Sequence, residues 1–87
     1  MASHEDTLAG LQHSTARCGD LHGVIQNATQ MAAELRTVLQ HSLGNTDAYG
    51  AVAGPCEALT TQLSAAAQTV AQTSQVIEGL MARFQRF

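Results

Sequence analysis

Residues 56–87 read CEALTTQLSAAAQTVAQTSQVIEGLMARFQRF, and in them apolar or small side chains recur every three or four positions: Cys56, Leu59, Leu63, Ala66, Val70, Thr73, Ile77, Leu80, Phe84, Phe87. That step is the facing stripe of a helix packed along another helix. The N-terminal half carries the same step in Leu11, Ser14, Cys18, Leu21, Ile25, Ala28, Ala32, Leu35, Leu39 and Ser42. Folding the chain back at Tyr49 sets the two stripes against each other position for position: Leu11 faces Phe87, Leu21 faces Ile77, Leu35 faces Leu63, Leu39 faces Leu59. Two seven-residue seams placed at random fall into register about one time in seven. The match predicts an all-α fold, an antiparallel two-helix hairpin.

Eighty-seven residues make one domain, and one helix pair has a single seam to bury. Chains this small usually draw extra stability from a disulfide, a metal or an oligomeric partner. The net charge of -3, with four Arg and no Lys, argues against a phosphate-binding surface and hence against nucleic acid. No stretch reaches the roughly 18 uninterrupted apolar residues of a membrane span, and Met1 to Leu8 lacks the basic and apolar regions of a signal peptide. The expectation is a chain made in the cytoplasm without a membrane span, whose export, if any, uses a signal-peptide-independent route. Absence of Lys beside abundant Ala, Gly and Thr is the bias of a GC-rich genome.

Ser3 and Asp6 have capping-box spacing, and Glu5 and Asp6 put negative charge in the first turn, where the helix dipole favours it. Helix 1 is therefore placed at about 4–43, closed by Gly44 and Asn45 in the left-handed conformation. Gly44, Gly50, Gly54 and Pro55 form the densest cluster of helix breakers, which places the turn at about 44–55 around Tyr49. Two starts for helix 2 fit. Thr46 or Asp47 caps an early turn through Tyr49 and Val52, or Gly54 caps a helix that opens with Pro55 and runs over about 55–87.

From Ala58 to Ala82 the only charged residue is Glu78. Ordinary exposed helices intersperse Glu with Lys, so this surface is only lightly committed to water. Val24, Met31 and Val38 form a second apolar row beside the helix 1 seam, and Val76 and Met81 lie outside the seam on helix 2. These five residues are the candidate partner interface. A widened core stripe is the competing explanation for the helix 1 row.

Cys18 and Cys56 fall opposite Leu80 and Ser42 in the hairpin register, twenty-four residues apart along helix 1. At 1.5 Å per residue that is about 36 Å, against about 6 Å between the Cα atoms of a disulfide. Both thiols are read as small core residues, with an interchain bridge as the alternative. Cys18 and His22, four apart, are spaced like two zinc ligands. A third ligand is lacking nearby, so no metal or other cofactor is expected, although a small metal- or redox-responsive protein built on this pair stays as an alternative. There is no Gly-x-Ser-x-Gly and no Gly-rich phosphate loop followed by Lys, and the acidic residues are dispersed. A non-enzymatic protein is expected.

Two long helices, a Gly-rich mid-chain turn and an Ala/Gln/Thr-rich second helix in a chain of under one hundred residues resemble the small WXG-type proteins of type VII secretion systems. The likeness spans the whole chain and is architectural; Thr46, Asp47, Ala48 and Tyr49, followed by Val52, resemble the segment entering helix 2 in those proteins. The family's Trp-x-Gly turn is missing, with Leu43-Gly44 the nearest apolar-Gly pair. The Tyr followed four residues later by Asp or Glu after helix 2 is missing too, since the one Tyr stands in the turn. What the resemblance implies is a four-helix bundle with a homo- or hetero-dimeric helical partner, and a role as substrate, partner or targeting subunit for a larger secreted effector. A self-associating structural or secretion-chaperone hairpin of another system is the alternative.

Overall fold

The computed structural model describes residues 3–85 as two helices, α1 (His4–Leu43) and α2 (Ala48–Gln85), joined by Gly44–Asp47. They pack as an antiparallel hairpin, a rod of 64 × 19 × 14 Å. Its radius of gyration, 19.4 Å, compares with about 12 Å for a compact domain of the same length.

α1 starts where the sequence places it. Ser3 Oγ accepts from the Asp6 N–H at 3.1 Å, and an Asp6 carboxylate oxygen accepts from the Ser3 N–H at 3.4 Å, so each satisfies a donor that the helix start leaves free. Ser3→Ala removes the stronger half of this box. It should cost about 1 kcal/mol of stability, read as a lower unfolding midpoint with faster exchange of the first-turn amides.

Of the two starts that fit the sequence, α2 takes the early one, so the turn is shorter than the 44–55 expected. It is confined to Gly44–Asp47, and Tyr49, Gly50, Gly54 and Pro55 all lie inside α2. Packing overrides the breakers. Tyr49, Val52, Ala53 and Cys56 are half-buried in this segment, and their burial offsets about 1 kcal/mol for each helical glycine and up to about 3 for Pro55. Gly44 also differs from expectation: it is right-handed, at φ -58 and ψ -25, and donates to the Gln40 carbonyl at 2.9 Å. A Cβ there would collide with that carbonyl oxygen, so glycine serves close approach here. The chain then reverses through Thr46, whose N–H and hydroxyl both donate to the Leu43 carbonyl, at 2.9 and 2.7 Å.

Moving the fold-back point from Tyr49 to the Asn45–Thr46 bond slides α2 along α1 by about one heptad. Leu59 and Leu63 accordingly share a groove with Ala28, Ala32 and Leu35, and Cys18 and His22 lie beside Val70, Ala71 and Ser74. Leu21 is thus level with Val70 instead of Ile77, and Leu59 is level with Ala32 instead of Leu39. Leu35 and Leu63 do line one groove. The expected Leu11–Phe87 pair lies partly outside the described residues, because Phe87 does.

Much of the stripe is nevertheless the contact line. Leu11, Ile25, Ala28 and Leu39 of α1 and Leu63, Val70, Ile77, Leu80 and Phe84 of α2 are half-buried, and Cys18 and Ala32 are buried. Leu21, Leu35 and Leu59 depart from it, remaining 51%, 47% and 38% exposed. They stand three residues on from Cys18, Ala32 and Cys56, about 60° round the helix at 100° per residue, and so lie at the edge of the contact. At the open end Met81 lies 3.6 Å from Thr15 Oγ1, and His4 packs against Phe84 with ring centroids 5.6 Å apart.

Candidate partner interface

Only Cys18 and Ala32 count as buried apolar residues among those described, and no side chain is fully enclosed. The accessible surface is 6417 Å² for a chain of 9.1 kDa, whereas a compact folded monomer of that mass exposes about 4,900 Å². The excess, about 1,500 Å², exceeds the roughly 800 Å² that each partner buries in a standard interface.

Most of the exposed large apolar residues lie on one side of the rod. Going round α1 at about 100° per residue, Leu21, Val24, Ala28, Met31, Leu35 and Val38 form a strip adjacent to the buried line through Cys18, Ile25 and Ala32. Val24, Met31 and Val38 are 65%, 60% and 59% exposed. Between this strip and α2 runs the groove lined by Ala28, Met31, Ala32, Leu35, Leu59 and Leu63, with a volume of about 400 Å³. The groove on the opposite side of the hairpin is mixed, with Ile25, Leu63 and Ala67 beside His22, Gln26, Thr29, Gln30, Thr60 and Ser64. The two grooves thus differ in character, one lined by apolar side chains alone and the other edged by polar ones.

Three of the α2 threonines have already satisfied their donors. Thr60, Thr69 and Thr73 hydroxyls donate to the carbonyls of Cys56, Ala65 and Thr69 at 3.2, 3.0 and 2.8 Å. A partner can therefore cover them without stranding a buried hydroxyl, the usual cost of packing on a polar helix. The strip also has a charged boundary: Arg17 and Asp20 pair at 3.6 Å, both 70% exposed, just before Leu21. Arg36 reaches Glu57 across the hairpin at 3.9 Å. Ion pairs this exposed contribute at most about 1 kcal/mol each, so apolar contact dominates what holds the helices together.

Of the five residues picked from sequence, Val24, Met31, Val38 and Val76 are exposed, Val76 at 63%. Met81 is half-buried against α1 at the open end of the hairpin and does not lie on an exposed face. Leu21, Leu35 and Leu59 join the surface although they read as seam residues.

Cys18 and Cys56 are both free, one buried and one half-buried. Both should react with a thiol reagent in denaturant without prior reduction, giving two equivalents per chain; a Cys18 to Cys56 bond in non-reducing mass spectrometry would contradict the hairpin. Cys18 and His22 line one groove, but among the described residues no three His, Cys, Asp or Glu side chains are grouped to hold a metal ion. Among those residues no helix is long and apolar enough to cross a membrane. No family model, curated protein or solved structure matches this chain.

Proposed function

We propose that this protein is a non-enzymatic pairing module of a type VII secretion system. In this reading it acts as small substrate, partner or targeting subunit for a larger effector, and it works by completing a helical bundle with a second hairpin. The observation that carries the pairing is the surface excess of a hairpin whose Val24–Met31–Val38 strip stays more than half exposed. Two-helix architecture, the fold-back near mid-chain and an Ala/Gln/Thr-rich α2 support the assignment to that secretion class by resemblance. The Trp-x-Gly turn of that class is missing, which makes this chain a divergent member in that reading.

Chemically, the module offers surfaces. Covering the strip removes apolar area from water at about 25 cal/mol per Å², and only the surplus over the cost of association becomes affinity. The test is co-expression of the tagged chain with the products of its neighbouring genes. Retention of a small helical protein or effector encoded beside secretion ATPases, lost in the Met31→Asp variant, is the expected outcome. Neighbours unrelated to secretion, with none retained, would contradict the assignment.

A further inference from the structure

The apolar strip has two ends. Towards the N-terminus, Asp6, His13, Arg17 and Asp20 occupy the same side of α1, and Arg17 and Asp20 are joined as an ion pair. From Leu21 to Val38 the side is apolar, and at Ser42 it turns polar again. The apolar run is therefore about 26 Å long at 1.5 Å per residue. Its members stand at 21, 24, 28, 31, 35 and 38, a spacing that reads the same in both chain directions.

We infer that the occupant of this face is a second copy of the chain, seated with its α1 antiparallel to the first about a two-fold axis midway between Ala28 and Met31. This deepens the pairing-module reading and rests on it. Reversal about that point sets Leu21 over Val38 of the second copy, Val24 over Leu35, and Ala28 over Met31, so each small residue meets a large one. That is the layer pattern two packed helices need to interdigitate.

Charge selects this direction over its reverse. In the antiparallel arrangement Arg17 lands on the last turn of the other α1, at Ser42, where the negative end of the helix dipole favours a cation. Asp20 comes within one turn of His41 of the second copy. A parallel arrangement in register would instead place Arg17 against Arg17 and Asp20 against Asp20. α2 raises no opposing charge, because Glu78 is its sole charged residue between Ala58 and Ala82.

The experiment uses full-length chains carrying Cys18→Ala and Cys56→Ala. Val24→Cys is added to one and Leu35→Cys to the other, and both are first shown by circular dichroism to keep the helical content of the natural chain. Mixed and mildly oxidised, they should form the mixed disulfide at least about tenfold over either self-link, since positions 24 and 35 are opposed while two copies of position 24 are offset by about 16 Å along the axis. Dominant self-links would overturn the antiparallel arrangement. A natural chain that sediments as a monomer yet pairs with a neighbour-encoded hairpin overturns the second copy as occupant and leaves the pairing module standing. A folded monomer that pairs with nothing overturns both.

Discussion

The Met31→Asp, Val38→Asp double variant should sediment as a monomer at concentrations where the natural chain is associated. Both side chains stand about 60% exposed in the single hairpin, so the substitutions remove little that holds α1 to α2. Their cost within the helix is bounded by propensity, at most about 0.7 kcal/mol each. In the assembly the balance reverses. Full burial of such a side chain contributes roughly 1.5 to 3 kcal/mol, of which more than half remains to be gained on pairing. Two such losses on each of two copies, with carboxylates placed where water is excluded, weaken assembly by a factor of about a thousand or more. Sedimentation with circular dichroism separates the effects: assembly is lost while the ability to form helix is retained.

The opposite pattern is expected at the buried line. Ala32 is 8% exposed and lies beside Leu59 and Leu63. An Asp there would place a carboxylate between the helices, where the nearest cation, Arg36 one turn on, is already drawn to Glu57, at a cost of several kcal/mol. A hairpin this small holds only about 3 to 5 kcal/mol in its core, so Ala32→Asp should abolish the cooperative unfolding transition and most of the helical signal. Ala33→Asp, one residue away on the exposed surface, is the control, and should lower stability by only about 0.7 kcal/mol. Equal behaviour of the two variants would remove the distinction between the faces of α1.

The helices, the stripe and the Ser3–Asp6 box could be read from residues because each is a local pattern with one structural solution. The register could not. A seam that repeats every seven residues matches itself after a slide of one heptad, and only the length of the connection chooses between the two alignments. That length turned on Gly50, Gly54 and Pro55, which local propensity treats as breakers. Once Tyr49, Val52, Ala53 and Cys56 pack inward, the helix runs through them. The partner surface was half legible. Val24, Met31 and Val38 stood out as a second row, whereas Leu21, Leu35 and Leu59 were hidden by belonging to the stripe itself; the stripe is two rows about 60° apart round each helix, and these three belong to the row at the edge of the contact. Met81 read as a surface residue because it lies beside the stripe, but its flexible thioether reaches across to Thr15.

On the proposed reading, the folded state is a thin hairpin completed by association. Urea unfolding of the natural full-length chain, followed by circular dichroism over a series of protein concentrations, tests that most directly. For a two-copy bundle the midpoint should climb with concentration, with stability gaining about 2.7 kcal/mol per dimer for a hundredfold increase. A cooperative transition whose midpoint stays fixed across the series, from a species of 9.1 kDa by sedimentation, would contradict it.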